Sequence, residues 1–310
     1  MHMTKQCTSH ILMVRPSNFG FNPETAESNA FQVNDQSLTV DEIKAKAVDE
    51  FDGFVRILRS KGIHVHVMEE PSFPVTPDAV FPNNWITFHE TGYVITYPMQ
   101  ASARRLERRD DFIYTLAKQF VIHKRYYMEF FEDSNLFLEG TGSMIFDREH
   151  QVVYACLSPR TDQSLLDSFC DITGYTSCYF KATDQNEQEI YHTNVMMAMG
   201  DHFVVICMDS VKNKEERDQL KLLFEQTKKQ VIDLTMDQMN AFAGNMLQLK
   251  NDQGETFLIM SEQAYRILRE DQIEEILKFT QIIHAPLYTI EKYGGGSARC
   301  MMAEIFLPQK

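Results

Sequence analysis

The sequence predicts an α/β fold made of five ββαβ repeats set around one axis. Three observations lead there. Amphipathic helical patterns begin at intervals of roughly 50 to 60 residues. A strand–turn–strand pattern precedes each helix after the first, and a strand-like run follows each helix. The polar residues at the mouths of the hairpins, Asn84, Glu139, His192, Asn245 and Cys300, are separated by 55, 53, 53 and 55 residues. Residues that recur at one position of a five-fold repeat fall in one ring about the axis, so Cys300 and His192 meet despite their distance in sequence.

The first helical pattern, 41–61, opens on a capping-box pair, Thr39 and Glu42, carries Ile43, Ala47, Phe54 and Leu58 on one face, and stops at Gly62. "GIHVHVM" follows as a strand. "WITFHETGYVITY", turning at Thr91-Gly92, leads into a helix over 102–120 with Leu106, Ile113, Leu116 and Phe120 on its apolar face. "SMIFDREHQVVYACL" turns between Asp147 and His150, precedes a helix over 161–174, and is completed by "TSCYFKA". "VMMAMGDHFVVICM" turns at Gly200-Asp201 before a helix over 214–230 with Leu220, Leu223, Phe224 and Val231 along its stripe. "MLQLKNDQGETFLIM" turns at Asn251 to Gly254 and precedes a helix over 261–279. The fifth hairpin is split, with one strand after Cys300 and its partner in the N-terminal "HILMVRP".

Composition removes several classes of function. With 310 residues and 44% hydrophobic content the chain can bury a large core. A net charge of -14 argues against nucleic acid or an anionic membrane as partner, and the basic run "RRLERR" at 104–109 meets Asp110 and Asp111 at once. No apolar run reaches the ~18 residues of a membrane span, and the N-terminus lacks the apolar stretch of a signal peptide. Six cysteines without a C-x-x-C pair suit free thiols in a reducing compartment, so the expected location is the cytoplasm. A homo-oligomer stays open.

The ring carries the chemistry. A structural cysteine normally sits within an apolar run, but Cys300 follows "KYGGGSAR", where backbone can approach another group closely. A thiol at its ordinary pKa is only a few per cent ionised at neutral pH, and a neighbouring histidine can supply the base. His192 is one of ten histidines and is singled out by its ring position. Glu139 shares that ring, and Asn245 in "AGNML" completes it, with a turn or capping role as its plainer alternative. His64 and His66 alternate on a strand and hint at a metal, but no third ligand presents itself and solvent exposure is expected.

"FLEGTGS", "YHTN", "LSPRTD" and "GGGSARCM" resemble the guanidino-group-modifying superfamily of arginine deiminases, dimethylarginine dimethylaminohydrolases, arginine dihydrolases and amidinotransferases. Within it the chain is most similar to the citrulline-utilisation hydrolases, an arginine-deiminase-related branch. The resemblance runs from "MVRPSNFGFN" to Cys300. It implies a five-bladed α/β propeller (a pentein-like fold), a single catalytic domain over 1–310, and a site in the central channel. By the same resemblance Cys300 is the nucleophile, His192 the general acid and base, and Glu139 the carboxylate at the nitrogen end of the substrate. Arg104 and Arg160 hold the substrate α-carboxylate. No metal or organic cofactor is implied, and the partner is a small amino-acid substrate.

Two departures from arginine deiminases bear on that substrate. Asn83-Asn84 stand where those enzymes carry Asp, and His192-Thr193-Asn194 replaces His-x-Asp. A buried guanidinium calls for carboxylates, each charge-assisted bond being worth about 1.5–3 kcal/mol. A neutral ureido group facing aspartates would leave buried unpaired charge, whereas an asparagine amide can donate to its oxygen and accept from its nitrogen. Citrulline, cleaved to ornithine, ammonia and carbon dioxide, is therefore the expected substrate. Arginine, taken by a dihydrolase or a deiminase, is the runner-up; amidino transfer and a non-enzymatic binding propeller stand behind both. The polar segment 17–32 is expected to form a lid, with Phe19, Asn22 and Asn29 near substrate.

Overall fold

The computed structural model describes residues 5–26, 29, 31–33, 35 and 37–310. Glu27, Ser28 and Ala30 of the expected lid lie outside the described residues. The strands form five three-stranded sheets with one shared pattern, in which the middle strand runs antiparallel to one neighbour and parallel to the other. Ile86–Phe88, Tyr93–Thr96 and Lys124–Tyr127 form one sheet; Ile145–Asp147, Val152–Cys156 and Thr176–Phe180 form the next. Met197–Met199, Phe203–Ile206 and Gln230–Asp233 follow, and then Leu247–Lys250, Thr256–Ser261 and Gln281–Ala285. The fifth draws on both ends of the chain. His10–Arg15 pairs antiparallel with Ala303–Glu304 and parallel with His64–Glu69.

The helix Val40–Ser60 has the expected capping box, with Thr39 Oγ1 accepting from Glu42 N and the Glu42 carboxylate accepting from Thr39 N. Its buried face includes Ile43, Ala47, Phe51, Phe54, Val55 and Leu58, packed on the strands of the fifth sheet and on Leu249 and Ile283 beside it. Burial of this kind stabilises by about 1.5–3 kcal/mol for each large apolar side chain. The helix expected over 161–174 is Gln163–Thr173, opened by Asp162, which accepts from Ser164 N and Leu165 N, and closed by left-handed Gly174.

Three helix boundaries differ from the sequence expectation. The 102–120 pattern is broken into Ser102–Arg105 and Asp110–Leu116, and Leu106, expected in the apolar stripe, is exposed. Ion pairs between Arg104 and Glu107 and between Arg108 and Glu132 pin the intervening turn, and Arg109 adopts extended backbone before the acidic first turn of the second piece. The 261–279 pattern breaks at Leu268 and Arg269, both extended, and resumes as Glu270–Leu277. The 214–230 pattern ends at Gln226, so Val231 belongs to a strand and not to the helix stripe. No helix among the described residues is long and apolar enough to cross a membrane.

Each hairpin begins with a short turn that presents the ring residue. Pro82–Asn84 is one 3-10 turn, and Gly140–Ser143 and Thr193–Met196 are single helical turns directly after Glu139 and His192. Turns at 241–244 and 298–301 occupy the same place in the remaining repeats. The ring side chains are therefore set by buried backbone at the ends of strands.

Candidate active site

Cys300, His192, Asn84, Arg104 and Arg160 line one cavity of about 20 Å³, together with Asp78, Tyr191 and the Gly294–Gly296 backbone. Glu139 and Asn194 are not among the lining residues but contact them, Glu139 through His192 and Asn194 through Cys300, and Asn83 directly precedes Asn84. All of the expected site residues are buried, Cys300 at 6% exposure and Glu139 at none.

Glu139 is the hub of the polar contacts. Its Oε2 accepts from His192 Nε2 at 2.8 Å, its Oε1 accepts from Gln100 N at 2.9 Å, and Arg160 Nη1 lies 3.6 Å from Oε2. Burial alone would raise the Glu139 pKa, but the Arg160 charge and the His192 hydrogen bond hold it down at about 2. A carboxylate acceptor fixes the imidazole with its proton on Nε2 and leaves Nδ1 as a base. Burial lowers the His192 pKa to about 4 despite Glu139, so the ring is neutral at neutral pH.

The thiol sits between two amides. Asn194 Nδ2 and Asn245 Nδ2 each donate to Cys300 Sγ at 3.3 Å, and Asn245 Oδ1 accepts from Arg299 N at 3.0 Å. Asn194 thus touches the sulfur while its Oδ1 has no partner among the described residues. The glycine approach now has a physical reason. Gly295 has φ +64, and a side chain there would meet Asn29 Nδ2 at 2.5 Å. Asn29 Nδ2 donates to Gly295 O and Gln32 Nε2 to Gly294 O, so the expected covering segment is tied to this loop. Gly142 is equally constrained. A Cβ there would lie 2.4 Å from Asn84 Nδ2 and 2.8 Å from the His192 ring.

The two expected substrate asparagines separate. Asn83 turns away from the cavity and donates to Thr141 Oγ1 at 3.2 Å. Asn84 faces the cavity, its Oδ1 accepting from Arg104 Nη1 at 2.8 Å and its Nδ2 without a partner among the described residues. Arg104 is itself gripped by Glu107, Nε to Oε1 and Nη2 to Oε2 both at 2.9 Å, and by Phe81 O. All three of its guanidinium nitrogens therefore have protein partners, which fixes the Asn84 amide with its N–H₂ away from Arg104, on the side of Gly142 and the His192 ring. Arg160 is held by Gln100 Oε1 and Thr25 O and lies over the Tyr191 ring at 4.9 Å. Asp78, not singled out in the sequence, lines the cavity with its Oδ1 unpartnered among the described residues, and burial raises its pKa. Of the expected covering residues, Asn22 donates to Asp78 Oδ2 at 2.7 Å and Phe19 is buried in the core beside the glycine loop.

Of the histidine pair on the strand His64–Glu69, His64 is exposed as expected and His66 is half-buried. His64 pairs with Asp252 at 2.7 Å, and His66 shares a hydrogen bond with His10 at 3.1 Å. No group of three or more His, Cys, Asp or Glu side chains placed to hold a metal ion occurs among the described residues.

Five like sheets whose strand ends gather a thiol, a neutral imidazole on a carboxylate, and several amides define the class of guanidino-group-modifying pentein enzymes. A family model described as N,N dimethylarginine dimethylhydrolase, eukaryotic, matches residues 15–307, and the chain belongs to that family. Comparison of the sequence with curated proteins gives no match. Among solved structures, the fold is shared with the substrate-bound N-terminal domain of ArgZ, an arginine dihydrolase from the ornithine–ammonia cycle in cyanobacteria. The identity there is 15% and the TM-score 0.72, over 96% of this chain and 99% of that one. Unliganded AgrE aligns at 17% identity and TM-score 0.72 over 97% of this chain, which spans 40% of the AgrE chain. A dimethylarginine dimethylaminohydrolase carrying an S-methyl-L-thiocitrulline adduct aligns at 14% identity and TM-score 0.65, over 96% and 99%.

Proposed function

We propose that this protein is a cysteine-dependent hydrolase of the ureido group of citrulline, yielding ornithine, ammonia and carbon dioxide. The observation that carries the reading is Asn84. Its orientation is fixed by Arg104, and its Nδ2, without a partner among the described residues, is a neutral donor beside the His192 ring at the wall of the cavity that holds Cys300. A ureido oxygen suits that donor, and a guanidinium nitrogen repels it. Glu139 already faces the Arg160 cation and accepts hydrogen bonds from His192 and Gln100 N, so both of its oxygens are engaged before a cationic substrate arrives. The five sheets are then blades of one propeller domain over 1–310, with the reaction at the channel end of the ring.

In the proposed course, His192 Nδ1 takes the Cys300 proton as sulfur attacks the ureido carbon. A C–S bond forms, the bond from carbon to the δ-nitrogen breaks, and His192 returns the proton to ornithine as it leaves. A carbamoyl group remains on sulfur. Water, deprotonated by His192, attacks that carbon, the C–S bond breaks, and carbamate departs and decomposes to ammonia and carbon dioxide. Asn194 and Asn245 hold the sulfur throughout, Asp78 receives the substrate ammonium, and Arg160 meets the α-carboxylate. Arg104, the second carboxylate ligand expected from the resemblance, orients Asn84. A cavity of about 20 Å³ holds roughly one water molecule, so admission of substrate requires the Asn29 and Gln32 contacts to the glycine loop to part.

One observation favours arginine as the second reading. The unpartnered Asp78 Oδ1 is a carboxylate oxygen in the same cavity and could pair with a guanidinium. ArgZ, by its description an arginine dihydrolase, has also been seen with a covalently bound reaction intermediate. Acid quench during turnover of carbonyl-labelled citrulline, followed by peptide mass spectrometry, tests the course. Label on the Cys300 peptide is expected. Ornithine formation with no labelled Cys300, or with undiminished turnover in Cys300→Ser, would overturn it.

A further inference from the structure

Asn245, at the mouth of the fourth hairpin, does not cap the turn that carries it. Its side chain is 1% exposed, and its hydrogen bonds reach residues 51, 54 and 55 positions away. Nδ2 donates to Asn194 O at 2.9 Å and to Cys300 Sγ at 3.3 Å, and Oδ1 accepts from Arg299 N at 3.0 Å. The backbone is strained to put it there. Phe242 has φ +64, a left-handed conformation that a bulky side chain rarely adopts. Gly244 lies so close to the preceding repeat that a Cβ would sit 2.3 Å from Val195 O. Such strain persists where the surrounding structure holds a functional group in place.

The polarity of this amide is fixed. A backbone N–H can only donate and a backbone carbonyl can only accept, so Arg299 N identifies the oxygen and Asn194 O the nitrogen. One Nδ2 proton is taken by Asn194 O, and the other points at sulfur. Asn194 approaches sulfur at the same distance, but its Oδ1 has no partner among the described residues, so no second bond holds its amide. Cys300 therefore meets in Asn245 a donor that cannot turn over.

We propose that Asn245 is a catalytic residue, an obligate N–H donor that stabilises negative charge on Cys300 Sγ. The inference rests on Cys300 as the nucleophile and on no choice of substrate. When the thiol proton passes to His192 Nδ1, the electron pair stays on sulfur and the Asn245 hydrogen bond becomes charge-assisted. The bond weakens as the C–S bond forms. It strengthens again when the C–S bond breaks and its electron pair returns to sulfur. A fixed donor of this kind acts most strongly in a buried site, where its dipole is not screened by water.

The test is alkylation of Cys300 in the full chain by iodoacetamide at neutral pH, without substrate, followed at that residue by peptide mass spectrometry. Asn245→Ala should slow labelling roughly ten- to hundredfold, the scale of one lost hydrogen bond to a charged group. Asn245→Asp keeps the acceptor for Arg299 N but turns an oxygen toward sulfur, and should slow it at least as much. A merely structural role predicts the opposite sign, because loosening the turn at 298–301 would expose a thiol now 6% exposed and speed its labelling. Unchanged or faster labelling in folded Asn245→Ala, or a wild-type Cys300 that does not label, would overturn the proposal. If Asn245→Ala fails to fold, labelling of Asn245→Asp at the wild-type rate overturns it alone. Slowed labelling in both variants, with no turnover of citrulline by the wild type, would uphold this inference and remove the substrate reading.

Discussion

At the residue scale, two neighbouring asparagines differ in what they can do. Asn84 keeps a donor without a partner among the described residues, beside the His192 ring, because Arg104 holds its oxygen, while Asn83 is turned to Thr141. Nothing in "FPNNW" separates them, since both sit in one tight turn and only the backbone decides which points inward. Glu107 was hidden for a similar reason. An Arg and a Glu three residues apart on a charged helix pattern look like a surface pair, yet here both are buried. Asn84→Asp replaces the donor by an acceptor, and kcat/KM for citrulline should fall roughly ten- to hundredfold while the fold survives. Steady-state ornithine release and circular dichroism check both halves. The pH profile carries a second prediction. In the proposed course His192 must be neutral to accept the thiol proton, and its pKa is lowered from 6.5 to about 4. The acid limb of kcat/KM should therefore lie well below the ordinary histidine range, with activity retained at pH 5.5 and lost as pH falls toward about 4. The same depression makes folding stability full above 6.5 and progressively lost as pH falls through about 4.

At the element scale, local patterns were legible wherever local forces decide. The Thr39–Glu42 capping box and the hairpins carry their own signals, and they form as expected. The break in the 102–120 pattern was not legible. Its apolar spacing continues, and the ion pair to Glu132 that bends the turn comes from a distant segment. The single helical turns at the hairpin mouths were also hidden, being too short for any periodicity. Their packing yields the next prediction. Gly142→Ala pushes a Cβ against Asn84 and the His192 ring, so turnover should drop sharply with little change in secondary structure. By contrast, Phe54→Ala empties a site in the core and should cost about 3–5 kcal/mol in chemical denaturation.

At the scale of the whole molecule, the five-fold repeat was readable because each unit combines a period of two with a period near 3.6, and the ring residues keep nearly constant spacing. The split fifth sheet follows from that count, and both ends of the chain do meet in it. Ile305 bridges onward to Phe88 of the next sheet, and Ile305 and Leu307 are buried. Removing residues 303–310 should therefore weaken two sheets together, read as loss of near-ultraviolet dichroism at a lower temperature than in the intact chain. Substrate choice is where sequence reached least far, because it rests on amide orientations set by Arg104 and Glu107 across the site. The direct test of that choice is side-by-side incubation of the purified protein with L-citrulline and with L-arginine, amino acids and ammonia being resolved by chromatography. Ornithine and ammonia from citrulline, absent with Cys300→Ser, are predicted. Ornithine from arginine with citrulline left untouched, or citrulline accumulating from arginine, would contradict the account.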